Sequence, residues 1–458
     1  MKYLTADFGS TYTKLTAIDA SKKEIVGTSA AFTTIDTDVM EGYNLALKRL
    51  EDEIGEFKYD ELICCSSAAG GLRMVALGLV PELTAKAARM AASSAGAKVI
   101  KTYSFEISKA EQNEIYTINP DLVLLCGGTD GGNKEVIISN AKKLCEIDRN
   151  FSTIVAGNKS ALGEVEAVFT ESSKDFVITE NVMPEFNKLN IDPAKQKIKE
   201  LFISKIIDAK GLNKVQRMTN HEIIPTPLAV LNGCELFSKG TKTTKGIGEL
   251  IAIDIGGATT DVYSISAGTA TFDNVMIKGL PEPYSKRTVE GDLGMRYSLS
   301  PLAEETDLDA LAAEIDVEVS DILNWIKVCK ESPSILANKG SKHQKIEEGL
   351  AKSALKIAVE RHTGRVETTF TPFGEMFVVT GKDLTEVEYV VGIGGVLVNS
   401  TNSTDILKGA QADKQNLVSL KPKHPKFLLD RKYIFGSMGL LSEVDADLAL
   451  AIMKKEII

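Results

Sequence analysis

The stretch "LTADFGSTYTKLTAID" (residues 4–19) ends an apolar run at Asp7, turns at Gly9, and leaves through Ser10, Thr11, Thr13 and Lys14 into a second apolar run. Those residue types at that spacing suit two jobs. A hairpin turn asks for a glycine and polar neighbours and nothing more. A phosphate cradle asks for the same glycine, because backbone N–H groups hold phosphate oxygens and a side chain would keep the backbone away. Hydroxyls add donors and a lysine adds a point charge. A carboxylate beside such a cradle repels phosphate unless a magnesium ion, held mostly through water, stands between them.

The pattern returns once. "LIAIDIGGATTDVYSIS" (250–266) again runs strand, Asp254, Gly256 and Gly257, Thr259 and Thr260, strand. A third glycine turn, "GIGG", spans Gly392, Gly394 and Gly395. Two copies about half a chain apart imply an internally duplicated architecture, in which two similar halves each offer a hairpin to a shared cleft. Rival glycine motifs fail. No G-x-x-x-x-G-K-[ST] occurs, and Leu397 fills the third glycine position of a dinucleotide fingerprint begun at Gly392.

Composition agrees with a globular chain of two or three domains, at 458 residues. The net charge of −10 argues against nucleic acid or an anionic membrane as the main partner. No run of eighteen apolar residues and no signal-peptide pattern is present, which implies a cytoplasmic protein. Six cysteines without a C-x-x-C pair read as buried free thiols, and four histidines are too few for a histidine-rich metal site.

The elements that must carry these turns follow from periodicity. "YLTADFG", "YTKLTAID" and "EIVGTSA" read as consecutive strands, followed by a helix around 41–54, the strand "ELICCSS" and a helix near 82–95. From Gly96 the texture changes to four short apolar strands, "AKVIKTYSF", "PDLVLLCGG", "FSTIVAGN" and "DFVITEN", alternating with helices. That alternation predicts a parallel sheet in a unit of its own. "PTPLAVLNGCELFSKG" reads as a helix ending near Gly240, and the acidic helical stretch past 300 as cover for a sheet. The expected division is a first lobe from 1–95 and 208–245, an inserted α/β domain with a connecting helix over 96–207, a second lobe over 246–435, and a C-terminal helix over 436–458 returning to the first lobe.

The set "DFGSTYTK", "DIGGATTD" and "VVGIGG" resembles the phosphate-1, phosphate-2 and adenosine motifs of the actin–hexokinase–heat-shock ATPase superfamily. "PTPLAVLNG" and "FGSMGLLSEVDADLALA" resemble its two connecting helices. The resemblance implies an α/β, ribonuclease H-like ATPase fold of two lobes, with a Rossmann- or flavodoxin-like insertion. It implies ATP and Mg2+ as cofactors. Asp7 and Asp254 would serve the metal and catalysis, and Gly9, Ser10, Thr11, Lys14, Gly256, Gly257, Thr259 and Thr260 the phosphates. Gly392, Gly394 and Gly395 would lie under adenosine. Arg296, in "GDLGMR", is read as structural, and Asp261 as either pinning its hairpin or touching ligand. Ile224 occupies the place of the heat-shock family's water-positioning glutamate; either Glu222, two residues before it, substitutes as the base, or hydrolysis is slow.

"SSAAGGLRM", the insertion with "LLCGGTDGGN", and "VEGDLGMR" resemble the glutamate mutase (methylaspartate mutase) accessory protein family of the GlmL or MutL type. The acidic charge and actin-like motifs set this family apart from the mismatch-repair ATPases that share the second name. The resemblance implies an ATP-dependent reactivating factor for an adenosylcobalamin-dependent mutase, with the mutase subunits as partners. The insertion also resembles the flavodoxin-like sheet of cobalamin-binding subunits, but it lacks a cobalt-ligating histidine, since the first histidine is His221. Gly127, Gly128, Asp130 and Asn133 are then candidates for partner docking, against an inert elaboration of the lobe. A small-molecule kinase, a filament-forming ATPase and a dehydratase activator with paired cysteines remain alternatives.

Overall fold

Strands β1 (Lys2–Phe8), β2 (Tyr12–Asp19) and β3 (Glu24–Phe32) form the consecutive ladder that their apolar runs and turn residues predict, followed by β4 (Glu61–Ser66). The computed structural model describes residues 1–9, 12–34, 38–67, 73–209, 212–372, 374–413 and 416–457. Between β3 and β4 runs the helix Val39–Ile54, whose buried Val39, Tyr43, Ala46 and Leu50 recur at three- and four-residue spacing. Asp38 caps it by accepting the Met40 N–H, a contact worth about 1 kcal/mol.

Next come five strands of a second sheet: β5 (Arg73–Gly78), β6 (Lys98–Ser104), β7 (Leu122–Leu125), β8 (Ser152–Val155) and β9 (Phe176–Ile178). They are all parallel, in the order β6-β5-β7-β8-β9. Counted from β5 this is 2-1-3-4-5, the flavodoxin-like order. Four strands beginning near 96 were expected. The fifth, "RMVALG", lies buried between β6 and β7; it precedes the strand–helix alternation that starts at Gly96, so the sequence pattern does not assign it to this sheet. The short β10 (Ile224–Pro225) then returns to the first sheet, beside β4.

The second half contributes β11 (Leu250–Ile255), β12 (Thr260–Ile265), β13 (Val275–Lys278), β14 (Ser285–Glu290), β15 (Arg365–Thr371), β16 (Gly374–Thr380), β17 (Tyr389–Ile393) and β18 (Lys426–Leu429). β13, β16 and β15 form a small sheet of three strands. The other five run β14-β12-β11-β17-β18, against β10-β4-β1-β2-β3 in the first half. Read from opposite ends the two orders correspond strand for strand. β1–β2–β3 and β11–β12–β14 are antiparallel, while β4 and β10 follow β1, and β17 and β18 follow β11, in parallel. The duplication visible in two short motifs therefore extends to whole sheets.

The chain divides into two units. One is Met1–Gly233 with Gly279–Pro281 and Gly436–Ala449; the other is Cys234–Lys278 with Glu282–Phe435 and Leu450–Ile458. In the first, the helix Lys86–Ser94 buries Ala87, Ala88, Ala91 and Ala92 in a core shared by the first sheet and one face of the parallel sheet. Its methyl side chains let the two layers approach closely. The other face of the parallel sheet is covered by Ile137, Ile138, Leu144, Val165 and Phe169. In the second unit, helices Leu299–Glu305, Leu308–Ile315, Val319–Glu331 and Lys342–His362 bury their apolar stripes with Ile251, Ile253 and Val390 of the sheet. All six cysteines are free, five of them buried. Among the described residues no helix is long and apolar enough to cross a membrane.

Candidate functional site

In the first hairpin Asp7 pairs directly with Lys14, and Phe8 with Thr13. The Gly9 N–H donates to the Tyr12 carbonyl at 3.1 Å, closing a four-residue turn. A Cβ on Gly9 would lie 2.6 Å from that carbonyl oxygen, which is why the turn takes glycine. Asp7 and Lys14 are half-buried on one face of the ladder. Ser10 and Thr11, expected at the tip, lie outside the described residues.

The Asp7 carboxylate is held by residues from far along the chain. Its Oδ1 accepts the Thr226 hydroxyl at 2.6 Å and the Cys65 thiol at 3.4 Å. Thr226 opens the helix Thr226–Lys239, and no local pattern marks it as a partner of Asp7. Burial, then the Asp7 charge, pushes the Cys65 thiol well above its ordinary range, so it stays protonated as a donor. Glu222 stands two residues ahead of Ile224, which is in register with Cys65. Its carboxylate is 68% exposed and faces Lys199 Nζ at 3.6 Å, so the geometry lends a base at Glu222 no support.

The second hairpin repeats the first in register. Asp254 pairs with Asp261 and Ile255 with Thr260, and the Gly256 N–H donates to the Thr259 carbonyl at 2.9 Å. A Cβ on Gly256 would stand 3.0 Å from that oxygen. Gly257 is exposed at the tip. The two threonines are already engaged: Thr259 Oγ1 donates to Asp261 at 3.1 Å, and the buried Thr260 Oγ1 to the Leu293 carbonyl at 2.6 Å. Asp261 in turn accepts from Arg287, so it pins the hairpin. The turn "GDLGMR" closes beneath the tip, with Met295 and Arg296 N–H groups donating to the Gly256 and Gly257 carbonyls. The Arg296 guanidinium binds the Pro333 and Ile335 carbonyls and Glu347, which makes it structural.

The third glycine turn follows β17, which runs parallel to β11 with Gly392 in register with Ile253. Gly394 has φ +119°, and a Cβ there would come within 2.4 Å of the Ile255 carbonyl oxygen. Gly395 opens the short helix Gly395–Asn399. The tertiary structure thus sets the expected adenosine turn directly beside the end of β11, where the second hairpin begins.

In the flavodoxin-like sheet, Gly127 and Gly128 leave the carboxyl end of β7, next to the point where the strand order reverses. Two buried asparagines brace the loop. Asn158 accepts from the Gly131 N–H and donates to the Gly132 and Asn133 carbonyls, while Asn181 donates to the Gly128 carbonyl and to Asp130. Asn133 is exposed and Asp130 half-buried. A cavity of ≈ 400 Å³ opens there, lined in part by Asp130, Lys159, Ile178, Asn181 and Pro184. Cys126 is buried, and burial pushes its thiol far above the ordinary range, which is poor provision for an iron–sulfur ligand.

Two sheets of one ribonuclease H-like order, each with an aspartate–glycine hairpin on its first two strands, define the actin-like fold class. A family model described as MutL protein matches residues 3–457, and the chain is 44% identical over 458 residues to "Protein MutL" of Clostridium tetanomorphum, covering 100% of this chain and 99% of that one. The chain belongs to the MutL protein family. Among solved structures it is similar to the activator of the 2-hydroxyisocaproyl-CoA dehydratase from Clostridium difficile with bound ADPNP, at 12% identity and TM-score 0.31, over 99% of this chain and 98% of that one. It is also similar to a ligand-bound xylulose kinase from Lactobacillus acidophilus, at 10% identity and TM-score 0.34, over 98% and 91%. Likeness at that level speaks for no shared activity.

Proposed function

We propose that this protein binds and hydrolyses magnesium ATP and uses the cycle to reactivate an adenosylcobalamin-dependent mutase, glutamate mutase in the first instance. The observation that carries the nucleotide reading is the matched pair of hairpins. Each sets an aspartate two residues before a glycine whose N–H closes the same four-residue turn. Phosphate oxygens would meet backbone N–H groups at the turns, with Lys14 as a nearby point charge. Asp7 fits a hydrated magnesium ion: its Oδ1 carries two protein donors, and among the described residues no partner stands on Oδ2. Such ions are ordinarily bound through one or two carboxylates, substrate phosphates and several waters. The ion would supply charge neutralisation at the transferring phosphoryl group.

Family membership supports the mutase as client, and the flavodoxin-like sheet supports a docking role. Its braced glycine loop, with Gly127, Gly128, Asp130 and Asn133, lies at the edge where open α/β sheets present ligands. A radical mutase fails when its cofactor loses the adenosyl group and the damaged cobalamin stays bound. ATP binding to this factor would favour one of two conformations, and that difference in affinity for the client would release the spent cofactor. The test is reactivation of the same organism's mutase after block with hydroxocobalamin. Activity is expected to return only with this protein, ATP, Mg2+ and fresh adenosylcobalamin together. No recovery under those conditions, with ATP hydrolysis intact, would remove the mutase from the proposal.

A further inference from the structure

We infer that Thr226 is the positioning residue for Asp7, its hydroxyl deciding which carboxylate oxygen is offered to a hydrated magnesium ion; this rests on the ATP reading above. Asp7 on β1 is in register with Cys65 on β4, and Cys65 with Ile224 on β10. Thr226 lies two residues past Ile224, at the point where β10 becomes the helix Thr226–Lys239. Its Oγ1 lies 2.6 Å from Asp7 Oδ1 and 3.6 Å from Cys65 Sγ. A threonine hydroxyl has one proton, and the shorter contact to an anionic acceptor takes it. The Cys65 thiol donates to the same Oδ1 at 3.4 Å.

Two donors on one oxygen fix the carboxylate's rotation and leave Oδ2, among the described residues, as the oxygen open to a further ligand. Among the described residues no group of three or more His, Cys, Asp or Glu side chains could hold an ion by itself. A magnesium ion at Asp7 would therefore take much of its shell from water and phosphate, and the orientation of each carboxylate that reaches it would count. Groups that orient a metal-binding side chain typically change metal affinity by about 10- to 100-fold when removed.

The experiment compares wild type with Thr226→Val, which keeps the shape and removes the hydroxyl, and Thr226→Ser, which keeps the hydroxyl. Mn2+ replaces Mg2+ so that paramagnetic resonance reads metal binding in the presence of a non-hydrolysable ATP analogue. Calorimetry reads the analogue without metal, and the melting temperature reports the fold. The valine variant is expected to lose about tenfold or more in Mn2+ affinity, with metal-free analogue binding unchanged and the serine variant close to wild type. Thr226→Ala gives the same comparison if the valine variant does not fold. Equal Mn2+ affinity in valine variant and wild type overturns the inference. So does a loss that falls equally on metal-free binding, which marks a merely structural role. A wild-type chain that binds no ATP analogue with or without metal takes down the proposed function itself, an outcome distinct from both.

Discussion

Asp261 stands directly across the β11–β12 ladder from Asp254, and Arg287 binds its Oδ1 through Nε at 2.8 Å and a terminal nitrogen at 2.5 Å. The first hairpin carries Lys14 at the equivalent place, opposite Asp7. Like charges directly opposite each other on a ladder repel, so the second hairpin depends on the arginine to neutralise one of them. Arg287→Met leaves a nearly buried carboxylate without its cation, at an expected cost of about 3–5 kcal/mol. Denaturant unfolding reads the loss. Replacing Asp261 by leucine in the same chain is expected to recover most of it, because the uncompensated charge goes with it.

The two strand-end aspartates are expected to be needed for turnover and dispensable for folding. Asp7→Ala and Asp254→Ala should each abolish magnesium-dependent ATP hydrolysis while far-ultraviolet circular dichroism stays that of wild type. Both residues sit half-buried at strand ends rather than in a core. Undiminished hydrolysis in the Asp254 variant would dismiss the second hairpin from the phosphate site.

Glu222 offers a clean test of geometry against family resemblance. With its carboxylate exposed and facing Lys199, Glu222→Gln is expected to keep single-turnover hydrolysis within about twofold of wild type, under half a kcal/mol of barrier. A slowing of a hundredfold with ATP affinity retained would instead make it the base.

Lys382 gives the second unit a pH dependence. Its ammonium is buried, donating to the Pro283 and Tyr284 carbonyls at 3.0 and 2.8 Å, and burial followed by the nearby Lys286 lowers its pKa from 10.5 to about 7. Below about pH 7 both folded and unfolded chains carry the charge, and its burial weighs fully against the fold. From there up to about 10.4 the unfolded chain binds more protons, so this lysine's contribution to stability rises with pH, by at most about 1.4 kcal/mol per unit. Lys382→Met removes that slope. Unfolding of both chains at pH 7, 8 and 9 should show wild type gaining on the variant at each step; parallel curves would contradict it.

Asp130→Asn with Asn133→Ala separates docking from ATP chemistry. The asparagine keeps the oxygen that accepts from Lys159 N–H and the Asn181 amide, so the loop should hold its shape. ATP hydrolysis is expected to be unchanged and rescue of a hydroxocobalamin-blocked mutase lost. Full rescue by this double variant would move the docking surface elsewhere.

The two hairpins were legible from sequence because everything that specifies them is local. Two apolar strands, a glycine where a Cβ would strike a carbonyl, and a spacing of seven positions from Asp7 to Lys14 or from Asp254 to Asp261 fix turn and register together. The alternation of apolar strands and helices likewise announced the parallel sheet. β5 did not announce itself, because it stands ahead of the strand–helix alternation that starts at Gly96, and only its pairing with β6 and β7 assigns it to that sheet. The environment of Asp7 was beyond local reading as well: Thr226 lies 219 residues away in sequence and arrives through the pairing of β10 with β4. The same holds for Arg287 on Asp261 and for Glu222, whose exposed side chain stands 3.6 Å from Lys199 on the helix Asp192–Ala209. Local backbone preferences decide which turns and strands form. Which oxygen of which aspartate is held, and by what, is decided by long-range strand order, and no spacing in the sequence records it.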